Sequence, residues 1–352
     1  MLLTADAERR YVRAIFAALG ASAAEADAVA DVLVEADLRG HTSHGLTRVP
    51  LSVELIQTGR ACVNARPRVV QERAAAALMD GDGALGPYGA TVATREAMRR
   101  ARATGGAAIA LRETGHIALA GYYAELAARE DLIGILFAKS ETSIHPHGGV
   151  EPIIGTNPIA IAIPTLGDPV LLDMATSATS RGKLAEAAAA GRALPDGWAI
   201  DAAGSPTTDP WAAMQGGALT AVGGAKGYGL ALAMELLAGV LSGAGAGPMR
   251  DARGWQHLWG TLILVLDPAT FVAVDAFKAA VSEFVARVKG SRLAPGFAKI
   301  MLPGERSFRT RREQLMHGIT VADRVWDEVA AIARSLGLDP EEYAKLPPHA
   351  WG

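Results

Sequence analysis

Residues 39–50, RGHTSHGLTRVP, place two histidines, a serine and two arginines together in a chain whose residues are half apolar. Histidine titrates near neutral pH, so it can both give and take a proton in a reaction. Arginine carries a planar fork of N–H donors that matches a carboxylate. The segment is therefore interpreted either as the acid–base and anion-binding edge of an active site or as a polar loop with no chemical role.

A second candidate is the pattern G-x-G-x-x-G formed by Gly81, Gly83 and Gly86. It follows a predicted strand and opens a predicted helix, and the next strand ends near Glu113. This context is typical of a Rossmann dinucleotide site, although the acid lies farther along the chain than the motif normally has it. A single match among 39 glycines is a weak signal. The alternative is an ordinary turn whose glycines adopt positive φ.

Composition disfavours several other classes of site. The 34 lysines and arginines and the 37 acidic residues give a net charge of −3, which offers no long-range attraction to nucleic acid or acidic membranes. The single cysteine, Cys62, excludes an internal disulfide and a cysteine-built zinc site. His145 and His147 have a spacing compatible with a metal ion, but the sequence offers no third ligand nearby. We therefore predict no metal site.

The apolar segments bear on where the protein resides. The first residues lack the basic, apolar and small-residue regions of a signal peptide. The longest apolar run, residues 229–247, contains Glu235 and several glycines, and its leucine-rich part is shorter than the roughly 20 residues that span a bilayer. We predict a helix buried on most sides in this run, and a cytoplasmic protein.

The elements that must position the candidate residues follow two patterns. Residues 1–60 are predicted to be helical, and Gly40 is a natural helix end, so the 39–50 segment begins where a helix stops. Strands then alternate with helices, which predicts an α/β core with the helical ends packed on it or on each other. Residues 192–224 are rich in Gly, Pro, Asp and Thr and are predicted to be mostly loop. The predicted buried strands cover residues 74–80, 106–113, 132–140, 157–165, 169–175 and 261–268.

Five stretches of the chain resemble the malate/L-lactate dehydrogenase superfamily, which includes ureidoglycolate dehydrogenase, 2,3-diketogulonate reductase, sulfolactate dehydrogenase and Δ1-piperideine-2-carboxylate reductase. They are DLRGHTSHGLTRVP (37–50), GHIALAGYYAELA (115–127), GGVEPIIGTNPIAIAIP (148–164), DMATSATSRGKL (173–184) with PDGWAIDAAGSPTTDP (195–210), and GGAKGYGLALAMELLAGVLSGA (223–244). Residues 303–306 and 317–319 also fit the C-terminal end of the family. Because the stretches occur in family order along most of the chain, they are specific when taken together.

The resemblance implies an α/β fold with a non-Rossmann NAD(P)-binding mixed-sheet domain and with helical N- and C-terminal segments packed together. The implied units are a helical domain of residues 1–65 plus 305–352, a central or dimerisation region of residues 66–118 plus 290–304, and an NAD(P)-binding α/β domain of residues 119–289. The glycine turn at residues 81–86 then becomes part of the scaffold.

The resemblance also implies roles for the histidine-rich segment. His44 is the implied proton donor and acceptor, Ser43 is its hydrogen-bonding neighbour, and Arg48 is the anchor for a substrate carboxylate. His116 lines the implied substrate pocket and is a second acid–base candidate. The alternatives are a surface or capping role for His44, a solvated arginine at position 48 and a helix cap at His116. His41 is predicted to be structural.

The implied cofactor is NAD or NADP. Its implied ligands lie at strand ends and helix starts: Ser140, Asp173, Met174, Ala175, Thr176, Ser177, Lys226, Gly304, Glu305 and Arg306. Lys226 would bring positive charge to a phosphate at the start of a helix. Arg181 is either a ligand of a 2′-phosphate or an exposed helix residue.

We predict an oxidoreductase that transfers a hydride between NAD(P)H and a small 2-oxo or 2-hydroxy acid, working as a homodimer with its site near the subunit interface. The alternatives are a reductase of cyclic 2-imino acids of the Δ1-piperideine-2-carboxylate type, a Rossmann dehydrogenase, and a non-catalytic binding protein on the same fold. Ser52 and Ala118 depart from residues found in the family on the implied substrate side, so they leave the identity of the acid open.

Overall fold

The structure is a computed structural model that describes residues 1–248 and 259–344. Its helices are α1 (Ala5–Ala18), α2 (Ala23–Leu38), α3 (Val49–Gln57), α4 (Gly86–Thr104), α5 (Ala120–Ala128), α6 (Arg181–Ala189), α7 (Pro210–Met214), α8 (Ala225–Met234), α9 (Val274–Lys289), α10 (Glu305–His317), α11 (Asp323–Ser335) and α12 (Pro340–Ala344). Two 3-10 turns, Thr42–His44 and Leu46–Arg48, lie between α2 and α3, and a π-helical turn, Glu235–Val240, continues α8.

The strands of residues 1–248 and 259–344 form three sheets. They are β1 (Leu2–Leu3), β2 (Arg68–Arg73), β3 (Ala76–Ala84), β4 (Gly106–Thr114), β5 (Ile133–Ala138), β6 (Thr142–Ile144), β7 (Ile154–Gly155), β8 (Ile159–Ile163), β9 (Val170–Met174), β10 (Ala199–Ile200), β11 (Pro206–Thr207), β12 (Ala218–Leu219), β13 (Thr261–Leu266) and β14 (Ile319–Thr320). The main sheet has the order β2-β3-β4-β13-β5-β8-β9, a smaller sheet has the order β11-β10-β12-β6-β7, and β1 pairs with β14.

The main sheet is mixed. Only β3 and β4 run parallel, with α4 as the crossover between them, and every other neighbouring pair in this sheet is antiparallel. A Rossmann sheet is mostly parallel, because each strand is followed by a crossover helix. The predicted α/β class with a non-Rossmann mixed sheet is therefore confirmed.

The two ends of the chain pack together. Leu2 pairs with Thr320 in the sheet formed by β1 and β14. The buried ring of Tyr11 in α1 lies 5.4 Å from that of Trp326 in α11 and 5.1 Å from that of Tyr343 in α12. The predicted association of the helical N- and C-terminal segments is confirmed, whereas the boundaries of the three implied units stay a prediction.

Helix α2 carries the chain to the histidine-rich segment. The Ser22 hydroxyl accepts the backbone N–H of Glu25, and the Glu25 carboxylate accepts that of Ser22, which caps the start of the helix on both sides. The helix is buried along most of its length, in contact with α1 and α4. Gly40 follows it with φ of +74°, a backbone conformation that favours glycine. This turn directs the chain into residues 41–48.

The apolar run at residues 229–247 differs from its prediction. The run forms part of α8 and the π turn after it, but its leucines are not enclosed. Leu236, Val240 and Leu241 are 49%, 53% and 60% exposed. A run of apolar residues does not reveal whether it faces the core or a partner, so the expectation of a helix buried on most sides is wrong for the single chain. In the part of the chain described, no helix is long and apolar enough to cross a membrane.

Candidate active site

Two short 3-10 turns hold the histidine-rich segment against the end of α2. His44 closes the first turn, and Arg48 closes the second just before α3 begins. The backbone N–H of Leu46, between them, donates to the Asp37 carboxylate at 2.6 Å. The segment is therefore anchored to the buried last turn of α2 rather than held as a free loop.

Three predicted side chains meet within this segment. The Ser43 hydroxyl lies 2.9 Å from Nδ1 of His44. Arg48 donates from Nε to the carbonyl oxygen of Ser43 at 2.7 Å. This hydrogen bond uses only the inner nitrogen of the guanidinium. The outer nitrogens of Arg48 and Nε2 of His44 form no hydrogen bond with the described residues, so they are the atoms available to a ligand.

His116 reaches the same place from the other side of the fold. It lies between β4 and α5, and its ring stacks on that of His44 with 5.9 Å between centroids. The ring of Trp259 meets His116 edge-on at 6.0 Å. Two residues that are far apart in the sequence, His44 and His116, thus form one imidazole pair beside Arg48.

The two imidazoles differ in what their Nδ1 atoms can do. The backbone N–H of Ala118 donates to Nδ1 of His116 at 3.1 Å, so this nitrogen is an acceptor and the neutral ring carries its proton on Nε2. The hydroxyl of Ser43 can donate or accept, so Nδ1 of His44 is satisfied with or without a proton. His44 can therefore change its charge without losing a hydrogen bond, whereas His116 cannot.

Burial and nearby charge keep both rings neutral near pH 7. Burial, followed by the charges of Arg48 and His41, lowers the pKa of His44 from 6.5 to about 3. Burial, followed by Arg48 and His44, holds the pKa of His116 well below its usual value. The guanidinium of Arg48 is itself half-buried, and its desolvation lowers its own pKa. The pair is therefore sensitive to any anion that cancels the charge of Arg48.

The glycine turn at residues 81–86 is scaffold. A Cβ on Gly81 would lie 2.5 Å from the carbonyl oxygen of Glu113, and a Cβ on Gly86 would lie 2.1 Å from that of His116. The backbone of the β4 end and the loop after it fills the space that a pyrophosphate would need. The Rossmann interpretation of this motif is wrong, and the glycines serve to bring His116 close to the start of α4.

Two departures from the family pattern lie beside the histidines. Ser52 and Ala118 line a small recess together with Arg48 and His116. Ala118 adopts φ of +58°, a conformation that glycine adopts more readily. These two positions therefore border the predicted substrate groups.

A larger cavity, of about 350 Å³, opens next to the histidine-rich segment. It is lined by Arg39, His41, Leu119, Leu171, Asp173, Met301, Leu302, Gly304, Arg306 and Ser307. Three predicted cofactor ligands, Asp173, Gly304 and Arg306, meet in it. His41, for which the sequence indicated only a structural role, also lines it and lies 3.1 Å from the Ser307 hydroxyl through Nε2. Burial, followed by the charges of Arg39 and Arg306, lowers the pKa of His41 to about 4.

Arg39 connects this cavity to a second one through its ion pairs. Its guanidinium is buried and pairs with Glu35 at 3.1 Å and with Glu125. Both carboxylates line another cavity of about 280 Å³, where Arg311 also pairs with Glu35 at 2.8 Å. The charge of Arg39 is thus balanced within the protein, and Arg306 is the more available cation of the first cavity.

The remaining strand-end residues form a hydrogen-bonded cluster. The Ser140 hydroxyl lies 3.0 Å from that of Thr156, and the Thr176 hydroxyl donates to the carbonyl oxygen of Thr156 at 2.9 Å. Asn157 accepts the N–H of Ser140 and donates to Glu235 at 2.6 Å. The buried pair Asn157 and Glu235 therefore fixes the predicted cofactor loop. Sequence reasoning missed both of them as positioning residues.

Some predicted ligands are not brought into the cavity. Met174 and Ala175 are half-buried at the end of β9 and just beyond it, and the Ser177 hydroxyl donates to the backbone of Thr179. Lys226 is exposed in the first turn of α8. Glu305 turns away and pairs with Lys289 at 2.8 Å. A cofactor role for the Glu305 side chain has no support in this geometry.

The described residues contain no group of three or more His, Cys, Asp and Glu side chains arranged to hold a metal ion. Nδ1 of His145 lies 2.9 Å from the carbonyl oxygen of Pro146. Arg181 is exposed at the start of α6. Neither residue is placed in the cavity described above.

Comparison with known proteins gives the class. A family model described as malate/L-lactate dehydrogenase matches residues 3–330. The malate dehydrogenase of Pyrococcus abyssi is 37% identical over 345 residues, which cover 93% of each chain. The solved structure of sulfolactate dehydrogenase from Methanocaldococcus jannaschii is 35% identical, with a TM-score of 0.92, and covers 98% of this chain and 100% of that one. The Δ1-piperideine-2-carboxylate reductase of Pseudomonas syringae is 30% identical, with a TM-score of 0.85, and covers 95% and 100% of the two chains.

The fold, the imidazole pair and these relatives define a hydride-transferring oxidoreductase of small hydroxy acids. The chain belongs to the malate/L-lactate dehydrogenase family. Its cofactor is a nicotinamide dinucleotide. The larger cavity fits part of such a group, because Arg306 brings positive charge to the first turn of α10, where backbone N–H groups can meet a phosphate.

Proposed function

We propose that this enzyme interconverts a small 2-oxo acid and the matching 2-hydroxy acid, with His44 as the proton-transfer residue. The observation that carries the proposal is the hydrogen bonding of the two imidazoles. Ser43 can follow a change in the charge of His44, whereas Ala118 holds His116 in its neutral form. His116 is then a hydrogen-bond donor to the substrate oxygen through Nε2, and His44 gives or takes the proton.

Arg48 binds the substrate carboxylate in this proposal. Its outer nitrogens form a fork, and its inner nitrogen is held by Ser43, so the fork has a fixed direction. A bound carboxylate would offset the charge that helps to depress the pKa of His44. Binding of the acid anion therefore favours proton uptake by His44, which prepares the site for reduction.

Bound nicotinamide supplies or accepts the hydride at the substrate carbon. In the reductive direction His44 gives its Nε2 proton to the carbonyl oxygen, which becomes the hydroxyl of the product. The groups proposed to hold the dinucleotide are Arg306 with Gly304 at the start of α10, Asp173, and the cluster of Ser140 and Thr176. Met174, Ala175, Ser177 and Lys226 remain proposed ligands through their positions in the same strand-end and helix-start segments. The cofactor is NAD or NADP, and saturation curves with NADH and NADPH decide between them.

A second candidate is reduction of cyclic 2-imino acids. One of the similar structures is a Δ1-piperideine-2-carboxylate reductase. The same groups would serve, because His44 would protonate an imine nitrogen where it otherwise protonates a carbonyl oxygen. Ser52 and Ala118, both with small side chains, line the recess beside Arg48 and His116, so they border the place proposed for either acid.

We also propose that the enzyme works as a homodimer in the cytoplasm. Leu236, Val240 and Leu241 form an exposed apolar face. Exposed apolar patches often mark association surfaces, so this face supports the proposal of an apolar interface with another chain. A second copy of the chain is the occupant proposed for this face.

The test is a screen of 2-oxo acids and cyclic imino acids against NADH and NADPH, followed by His44→Ala with the best pair. We expect His44→Ala to lower kcat by about 100-fold or more, because general acid–base catalysis contributes on that order. Quenching of tryptophan fluorescence by the reduced cofactor should stay close to that of the wild type. Unchanged turnover would remove His44 from the mechanism.

A matched control is His317→Ala, which changes a histidine at the end of α10 outside the proposed site. We expect it to leave kcat and cofactor affinity at wild-type values. Equal loss in both variants would attribute the effect of His44→Ala to general damage.

A further inference from the structure

A pair of buried carboxyl groups lies directly beneath the histidine-rich segment. Glu8 in α1 is fully buried, and Asp37 in the last turn of α2 is 4% exposed. Each carboxyl group is among the causes of the other's pKa shift, so the two lie close together. Both oxygens of Glu8 are buried with no hydrogen-bond partner among the described residues. Two ionised carboxylates so close together would repel each other in a medium of low polarity, so their proximity favours a proton on one of them.

The segment sits directly on this pair. Asp37 accepts the backbone N–H of Leu46 at 2.6 Å, a short bond typical of a charged acceptor. A Cβ on Gly45 would lie 2.0 Å from the Asp37 carboxylate, so the backbone between His44 and Leu46 lies flat against it. No side chain other than hydrogen fits at position 45. The direction of the turn that carries His44 and Arg48 is thus set by the Asp37 carboxylate.

The state of the pair follows from its surroundings. Burial and the facing Asp37 raise the pKa of Glu8 well above its usual value. Burial raises the pKa of Asp37 to about 6, while the hydrogen bonds from Glu8 and from the Leu46 N–H act in the opposite direction. Arg9 on α1 is the cation that acts on Glu8. Near pH 7 the proton belongs to Glu8, and Asp37 is the charged acceptor.

We propose that Glu8 and Asp37 share one proton and act as positioning residues that hold the His44–Arg48 turn in its reactive orientation. Glu8 donates its O–H to Asp37, and Asp37 holds the Leu46 N–H and the Gly45 backbone. Neither group touches the substrate. This inference rests on the proposed function only where turnover is measured, because the contact of Asp37 with Gly45 and Leu46 is a property of the folded chain.

The activity test compares Asp37→Asn with Glu8→Gln. Asp37→Asn removes the charged acceptor, and we expect kcat to fall by about tenfold or more while cofactor affinity stays the same, because small misplacements of catalytic groups carry penalties of this order. Glu8→Gln keeps a donor toward Asp37, so we expect it to retain most of kcat at pH 7, whereas Glu8→Ala does not. Asp27→Asn is the matched control, since Asp27 lies on the same helix in a half-exposed ion pair with Arg13.

A second measurement works without any substrate. Amide hydrogen exchange should show a protected Leu46 N–H in the wild type and in Glu8→Gln, and at least tenfold faster exchange in Asp37→Asn and in Gly45→Ala. The infrared band of a buried carboxylic acid should be present in the wild type at pH 7 and absent in Glu8→Gln. These readouts remain valid if the enzyme reduces none of the acids screened.

Two results overturn the proposal outright, and a third excludes the part of it that concerns the proton of Glu8. One is Asp37→Asn with wild-type kcat and wild-type exchange at Leu46. The other is an infrared spectrum of the wild type in which no band of a buried carboxylic acid disappears when Glu8 is replaced by glutamine. Loss of turnover in Glu8→Gln equal to that in Glu8→Ala, with both variants folded, would likewise exclude the role of a proton donated by Glu8.

Discussion

At the scale of single residues, the roles proposed for the two histidines predict how the rate depends on pH. His44 is neutral in the protein alone, because its pKa is lowered from 6.5 to about 3. With His44 as the proposed proton-transfer residue, oxidation of a hydroxy acid needs the neutral ring, and reduction of an oxo acid needs the charged one. The free enzyme is therefore already in the state that oxidation requires.

This gives a prediction for kcat/KM in the two directions. In reduction, kcat/KM should fall about tenfold per pH unit across the neutral range, because the charged fraction of His44 falls by that factor. In oxidation, the protonation state of His44 should not change kcat/KM above about pH 4, because the ring is already neutral there. The measurement is a set of initial rates from pH 5 to 9 in a constant-ionic-strength buffer. A reductive kcat/KM that rises with pH would contradict the assignment of His44.

At the scale of elements, the turn from β3 to α4 controls the position of His116. Gly86→Ala would place a methyl group against the carbonyl oxygen of His116, where a Cβ has only 2.1 Å of room. We expect this variant to lose kcat and thermal stability together, since either the helix start or the loop around His116 must move. Gly167→Ala is the control, because a Cβ there meets nothing closer than 4.0 Å. A Gly86→Ala enzyme with wild-type kcat would show that the loop carrying His116 tolerates displacement.

The turn after α8 gives a prediction about assembly. Leu236 is 49% exposed on the apolar face, and a buried aspartate there would carry an unpaired charge into an interface. We expect Leu236→Asp to shift the enzyme from dimer to monomer in size-exclusion chromatography with light scattering. Leu166→Asp, at an equally apolar and 67% exposed position outside this face, should leave the mass unchanged. A wild-type mass for Leu236→Asp would place the interface elsewhere.

At the scale of the whole molecule, buried ionisable groups make stability depend on pH in two opposite ways. Burial lowers the pKa of His41 from 6.5 to about 4, so the folded protein favours the neutral ring. Its contribution to the free energy of unfolding is therefore fully present above about pH 6.5 and is lost as the pH falls toward 4. The pKa of Asp173 is raised to about 6, mainly by burial, so its contribution is present at low pH and is lost as the pH rises through 6.

Urea denaturation of two variants separates these effects. The stability that His41→Asn loses relative to the wild type should be larger at pH 7 than at pH 5. The free energy of unfolding that Asp173→Asn loses relative to the wild type should be smaller at pH 7 than at pH 5. If the asparagine keeps the hydrogen bond from the Gly121 N–H, the variant should be more stable than the wild type at pH 7. Differences that stay constant with pH in both variants would mean that neither group has a shifted pKa in the folded chain.

Much of this molecule could be predicted from local sequence. The alternating strands at residues 106–113 and 132–140, the cap at Ser22 and the glycine after α2 depend on near neighbours, and the structure has all of them. The contact of Asn157 with Glu235 could not be predicted, because it joins residues 78 positions apart whose types have many other uses. The exposure of Leu236 was missed for a related reason, since an apolar pattern is the same for a core and for an interface.

The ion pairs of Arg39 limit how the enzyme can be redesigned. Arg39 lines the cavity of the predicted cofactor ligands, yet its charge is balanced by Glu35 and Glu125, which line the other cavity. Shortening this side chain to tune the preference for one dinucleotide would remove a buried cation that the two acids share and leave each with a single arginine, Arg311 for Glu35 and Arg129 for Glu125. Engineers seeking a change of coenzyme should therefore keep Arg39 and vary the exposed Arg306.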